Sequence, residues 1–234
     1  MNEKAIRIAT RSSELAMWQA NWVKGRLEAL GKSVELVPVL TQGDREQAAF
    51  RDMRGVGFFT KAVQDAVLSN KADLAVHSYK DLPSAQAPGL EIAAVSERAD
   101  PRDVLLVRPE AFHPEDAPLP LMEGARVGTS APRRQAQLRQ LRPDLRVAEL
   151  RGNVPSRIRK LREGEYDAVL LAAAGLARLG LEPADLRRHA LTPEVFVPAP
   201  AQGVLALECR KGDFELASLL TDLHSPETYR MLLA

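Results

Sequence analysis

The chain has 234 residues, 45% hydrophobic and 27% charged, with a formal net charge of +1; this is an ordinary globular composition with room for one large domain or two modest ones. No apolar run approaches the ~20 residues that a bilayer span needs, and MNEKAIRIATR lacks the basic-then-apolar-then-small order of a signal peptide, so a cytoplasmic location without a membrane partner is expected. The single cysteine, Cys209, excludes an internal disulfide and a multi-cysteine zinc site, the four histidines show no ligand spacing, and 5% aromatics argue against a base-stacking platform, so neither a metal nor a nucleic acid is expected.

Residues 4–10 (KAIRIAT) alternate as a strand and end at Thr10-Arg11-Ser12-Ser13. Ser12 or Ser13 can cap the helix that follows, where Leu15, Trp18, Val23 and Leu27 recur at helical spacing. VELVPVL (34–40) predicts a second strand, and residues 45–58, polar and then glycine-rich, read as a mobile loop. A helix is expected over 59–68, a buried strand at ADLAVHS (72–78), the turn Lys80-Asp81-Leu82-Pro83, and a strand at LEIAAV (90–95). VLLV (104–107) is a further strand, and 109–120 a proline-rich connection. From Arg126 the order is strand, turn, helix, strand (145–150), turn, helix (154–161), strand (168–174). The proline-rich 197–203 leads to a strand at 204–209, and 213–234 reads as helical.

Strands alternating with helices imply parallel or mixed sheets with helices on both faces. Two such runs meet near 96–103, which predicts two α/β domains. The last strand is expected to return to the first domain, so that the chain crosses twice and a cleft lies between the domains. Arg11, Lys80-Asp81, Arg133-Arg134 and Arg151 all follow a strand, the place where open α/β sheets hold ligands.

Charge is concentrated in one stretch. Residues 126–162 hold ten arginines and one lysine against two acids, a net +9, while the rest of the chain sums to −8. A Gly-Thr-Ser turn (128–130) and the Arg151-Gly152-Asn153 turn each precede a helical run, and helix starts present N–H groups to anions. Cationic side chains beside a helix N-terminus are unfavourable unless an anion compensates them. An anion site therefore outweighs a merely solvated face for Arg133-Arg134. In a bare reading Asp81 is as much a salt-bridge partner as a catalytic carboxylate. Cys209 in a strand reads as a buried inert thiol, His77 as a packing residue, and Trp18 and Trp22 as core.

The stretches IRIATRSSELAMWQA (6–20), ADLAVHSYKDLP (72–83), VGTSAPRRQAQL (127–138), LRGNVPSRIRKL (150–161), YDAVLLAAAGLARLGL (166–181) and PAPAQGVLALECR (198–210) occur in the order of the porphobilinogen deaminase, or hydroxymethylbilane synthase, family, which this chain resembles. The resemblance implies two domains like those of type II periplasmic binding proteins, with mixed sheets and a double crossover hinge. Domain 1 is expected over 1–97 plus 199–215, domain 2 over 98–198, and a linker helix over 216–234 toward a third domain that is not part of the chain. It also implies that a cytoplasmic monomer joins four porphobilinogen molecules, through oligopyrrole intermediates, into linear hydroxymethylbilane with release of ammonia. The growing chain is held on a dipyrromethane cofactor whose attachment cysteine lies in that third domain, so Cys209 is not assigned to it and the chain alone is expected to turn over little. Matched residue by residue, Asp81 is the catalytic aspartate with Lys80 beside it. Substrate and cofactor contacts fall on Arg11, Ser13, Gln19, Thr129, Ser130, Arg133, Arg134, Arg151, Arg157 and Arg178.

Some positions depart from the family pattern. Ala131 replaces a frequent serine, Ala201 a glycine, and Arg51 or Arg54 stand in for loop lysines. A rival reading is a two-domain carboxylate-binding protein without chemistry.

Overall fold

The computed structural model describes residues 4–39 and 58–233. The loop expected over 45–58, with Arg51 and Arg54, lies outside the described residues up to 57, and Phe58 is the first residue of a helix. The chain divides into two compact units, Met1–Ala99 with Val204–Ala234, and Asp100–Gly203.

The first unit is built on a five-stranded sheet in the order β2-β1-β3-β10-β4. Its strands are β1 (Ile6–Arg11), β2 (Val34–Val39), β3 (Leu74–Ser78), β4 (Leu90–Val95) and β10 (Leu205–Arg210). β1 pairs in parallel with β2 and β3, and β10 runs antiparallel to both β3 and β4. Successive strand residues point to opposite faces, and the packing follows that period. Ile8, Leu74 and Val76 join one core with Ala20, Val23 and Leu27 of helix α1 (Glu14–Ala29) and Leu216 and Leu220 of α6 (Phe214–Leu220). Ala9 and Ala75 face the other way, against Val63, Ala66 and Val67 of α2 (Phe58–Leu68).

The second unit repeats the plan. Its sheet has the order β7-β6-β8-β5-β9, from β5 (Asp103–Val107), β6 (Arg126–Gly128), β7 (Arg146–Ala148), β8 (Ala168–Ala172) and β9 (Arg187–Ala190). Leu105, Val107, Ala168 and Leu170 pack with Leu138 of α3 (Pro132–Leu141). Val104, Leu106, Val169 and Leu171 pack with Ile158 and Leu161 of α4 (Val154–Arg162). In both sheets the antiparallel strand is the one that follows a crossing of the chain from the other unit, β5 after β4 and β10 after β9.

Three local features differ from the pattern reading. β8 stops at Ala172, and Ala173–Arg178 form α5, because an unbroken alanine run has no period to mark the change. β9, with the sequence RRHA, has no apolar alternation and exists as an edge strand paired to β5; charged side chains are typical of protected edges. Residues 213–233 break into α6, a short 3-10 turn (Thr221–Leu223) and α7 (Pro226–Leu233), and Leu223 joins the first unit's core. No described helix is long and apolar enough to cross a membrane.

Candidate functional site

In the first unit the carboxyl ends of two neighbouring parallel strands converge. β1 delivers Arg11, and Ser13, two residues on, caps α1 by accepting the Ala16 N–H at 3.4 Å. One turn into that helix, the buried Gln19 donates to the Ser78 hydroxyl at 2.8 Å, tying α1 to the end of β3. β3 then closes into a short 3-10 turn, Tyr79–Asp81, which leaves Lys80 and Asp81 exposed. A pocket of about 470 Å³, counting its part open to solvent, is lined by Arg11, Ser13, Gln19, His77, Ser78 and Asp81 among others. One guanidinium, one carboxylate and several hydroxyl and amide groups suit a small polar ligand that carries both negative and positive charge.

Behind this lining lies a polar group inside the sheet. Glu208 of β10, 1% exposed, accepts from Gln64 Nε2 of α2 at 3.0 and 3.2 Å. Its other neighbour is His77, whose buried Nε2 is 3.2 Å from Glu208 Oε2, a close contact that lacks hydrogen-bond alignment.

In the second unit the basic turns gather around Asp103, the fully buried first residue of β5. Arg134 grips one carboxylate oxygen through Nε (3.2 Å) and Nη2 (2.7 Å) and donates Nη1 to the Leu170 carbonyl at 2.9 Å. Arg133 takes the second oxygen at 2.7 Å and also donates to the Val197 carbonyl. Gln202 adds a bond to Asp103 at 2.9 Å and one to the Pro101 carbonyl. Burial alone would push the Asp103 carboxyl up, but Arg134, with the bonds from Gln202 and Arg133, outweighs it and holds the group below the usual carboxylate range.

The other predicted positions hold local bonds. Thr129 is buried, accepts the Ala131 N–H through Oγ1 at 3.3 Å, and offers its carbonyl to Gln135. The Ser130 hydroxyl donates to the Leu150 carbonyl at 2.7 Å and accepts the Leu150 N–H at 3.1 Å. α3 has Ala131 at its N-cap position, with no side-chain cap on its first turn. The exposed Arg151 is held by Glu149 at 2.6 Å, and Arg157 turns back onto the Gly152 carbonyl at 2.7 Å. Arg178 donates to the Gly203 carbonyl at 2.7 Å, and burial lowers its pKa to about 10.

Arg11, Ser13, Gln19 and Asp81 thus share one pocket, and Arg133 and Arg134 share one counter-ion. Sequence reasoning passed over Asp103, Gln202, Gln64 and Glu208. Their partners lie 30 to 144 residues away, and no spacing rule reaches that far. Among the described residues no group of histidine, cysteine and acidic side chains could hold a metal.

Comparison with known proteins follows the same lines. Residues 6–218 match the family model described as porphobilinogen deaminase, dipyromethane cofactor binding domain. A relative named porphobilinogen deaminase from Syntrophotalea carbinolica is 47% identical over 97% of this chain and 71% of its own length. One of the same name from Geobacter metallireducens is 46% identical over 97% of this chain and 70% of its own length. Among solved structures, the periplasmic VFT2 domain of Bordetella pertussis BvgS aligns with a TM-score of 0.56 at 17% identity, covering 97% of this chain and 91% of that one. An ancestral cationic amino acid solute binding protein aligns with a TM-score of 0.55 at 13% identity over 97% and 89%. These two show the fold alone, a type II binding-protein architecture with mixed sheets. The family match over residues 6–218 and the two relatives, each covered to two thirds or more, show that the chain belongs to the porphobilinogen deaminase family.

Proposed function

We propose that this protein works as a hydroxymethylbilane synthase, a transferase that condenses four porphobilinogen molecules head to tail with release of ammonia. The observation that carries the reading is the first-unit pocket in which Arg11 and Asp81 stand together. Porphobilinogen brings an acetate, a propionate and an aminomethyl group. Arg11 with Ser13 and Gln19 holds the carboxylate arms, and Lys80 draws them toward the Asp81 turn. Ammonia leaves with the electron pair of its C–N bond, and Asp81 stabilises the cation that remains on the pyrrole.

The family's dipyrromethane cofactor supplies a covalent primer on which pyrrole units are added. The second unit fits a polycarboxylate of this kind. Asp103 balances only one of the two charges on Arg133 and Arg134, and the first turn of α3 carries no side-chain cap. We assign Arg133, Arg134, Arg151 and Arg157 to its carboxylates, with Thr129 at the helix start. Ser130 and Arg178, bonded to Leu150 and Gly203, support the site from behind.

Asp81→Asn in the cofactor-loaded enzyme is expected to lower kcat by at least about 10²–10³-fold while calorimetric binding of porphobilinogen persists. Full turnover in that variant would overturn the assignment. The rival reading, a carboxylate-binding protein without chemistry, draws on the binding-protein fold. It predicts that simple dicarboxylates bind as well as porphobilinogen and that no ammonia appears.

A further inference from the structure

We propose that His77, backed by the buried Glu208, is the base that takes up the proton released when each new carbon–carbon bond forms in the pocket. The proposal rests on the synthase reading above. That reading assigns Asp81 to cation stabilisation and leaves one proton without an acceptor. The incoming methylene carbon, freed of ammonia, is attacked by the unsubstituted α-carbon of the preceding pyrrole. The new C–C bond places a fourth substituent on that α-carbon, and aromaticity returns only when its C–H electrons fall back into the ring and the proton departs. Nothing is oxidised or reduced. The proton passes to the imidazole and then to the ammonia already released, leaving as ammonium.

The geometry supplies both halves of such a base. His77 is among the residues that line the pocket with Arg11 and Asp81. Its Nε2 is 3.2 Å from Glu208 Oε2, and the proposal gives proton exchange with the substrate to Nδ1. Both carboxylate oxygens of Glu208 accept from Gln64, which fixes the carboxylate's orientation behind the ring. A carboxylate 1% exposed with an amide as its other partner is costly to desolvate, and an imidazolium beside it recovers that cost. Among the described residues, the charged groups that line the pocket or touch His77 are Glu208 on β10, Arg11 on β1 and Asp81 on the turn after β3, while α1, with its cap, and α2 present the neutral Ser13, Gln19, Thr60 and Gln64. Packing alone does not need an acid in the sheet interior. An apolar residue pairing the same strands would cost less.

The test uses the cofactor-loaded enzyme with His77→Gln and Glu208→Gln, read by kcat and KM across pH, porphobilinogen binding by calorimetry and thermal unfolding. His77→Gln is expected to lower kcat by about 10²-fold or more with KM changed by no more than about threefold. Glu208→Gln is expected to lower kcat less and to move the acid limb of its pH profile to lower pH, because the imidazole loses the anion that favours its proton. Folded, binding-competent variants with wild-type kcat and pH profile overturn the proposal while leaving the synthase reading intact. A wild-type enzyme that binds porphobilinogen no better than simple dicarboxylates and releases no ammonia overturns both. If either substitution prevents folding, nitrogen-15 NMR of His77 in the wild-type enzyme decides. Nδ1 is expected to change protonation over the pH range in which kcat changes, and an Nδ1 that stays in one state across that range overturns the proposal.

Discussion

Asp103 is the counter-ion on which the second unit's basic turns converge. It is fully buried and receives four donor contacts, two from Arg134 and one each from Arg133 and Gln202. Asn in its place keeps the shape but removes the carboxylate charge that opposes two guanidiniums, and turns an N–H₂ toward N–H donors. Breaking a buried ion pair on one side costs about 3–5 kcal/mol. Asp103→Asn is therefore expected to lower the urea midpoint by that equivalent, and a variant within about 1 kcal/mol of wild type would show that the cluster is not the anchor it looks to be. Acid stability is set partly at another aspartate. Burial pushes Asp73 up, but the hydrogen bonds from Arg7 and Arg210 bring it down to about 2. A folded-state pKa below the unfolded one, near 3.9, stabilises the protein above that value and loses its effect as pH falls toward 2. Asp73→Asn should therefore unfold with a shallower dependence on pH between about 4 and 2 while being less stable at neutral pH. An unchanged acid slope would contradict that role.

At the scale of elements, the two helix starts of the basic stretch differ in one detail. α4 is capped by Asn153, which accepts the Ser156 N–H at 2.9 Å, and Gly152 before it has φ +113°, where a Cβ would lie 2.2 Å from the Ser156 hydroxyl oxygen. α3 has Ala131 at the same N-cap position and no such side chain. Ala131→Ser should add a cap worth about 0.5–2 kcal/mol, read in urea unfolding. It should also weaken binding of inorganic phosphate or a dicarboxylate at that turn, because the serine oxygen then occupies an N–H that the anion needs. Stabilisation with unchanged anion binding would show that the first turn is not part of the site. The same detail explains what the sequence could reveal. Alternation in β1, the continuous apolar runs of β3 and β5 and the caps at Ser13 and Asn153 are local signals, and these elements were legible. The edge strand β9 and the switch to α5 were not, since one is selected by its neighbour and the other lies in a run of alanines. Arg11, Asp81 and their pocket followed from strand-end positions. The counter-ion of Arg133 and Arg134 did not, because Asp103 meets them only through the fold.

The whole molecule inherits an asymmetry from its crossings. The second unit is one continuous stretch, Asp100–Gly203, with all five strands of its sheet and both of its cores. The first unit is not: among the described residues β4 pairs only with β10, which arrives about 110 residues later in the chain. The late segment also supplies Leu205, Leu207, Leu216, Leu220 and Leu223 to the core. At about 1.5–3 kcal/mol for each buried leucine, their loss is comparable to the about 5–15 kcal/mol that separates a domain from its unfolded state. Residues 100–203 expressed alone are therefore expected to fold, with dispersed amide NMR signals and one cooperative transition in urea. Residues 1–99 alone are expected to lack that transition and to regain it when a peptide of 204–234 is added, because the peptide restores the strand between β3 and β4. The unfolded fragment should also fail to bind porphobilinogen although it holds Arg11, Ser13, Gln19, Lys80 and Asp81. A fragment 1–99 that unfolds cooperatively without the peptide would mean that β10 completes a sheet already stable on its own.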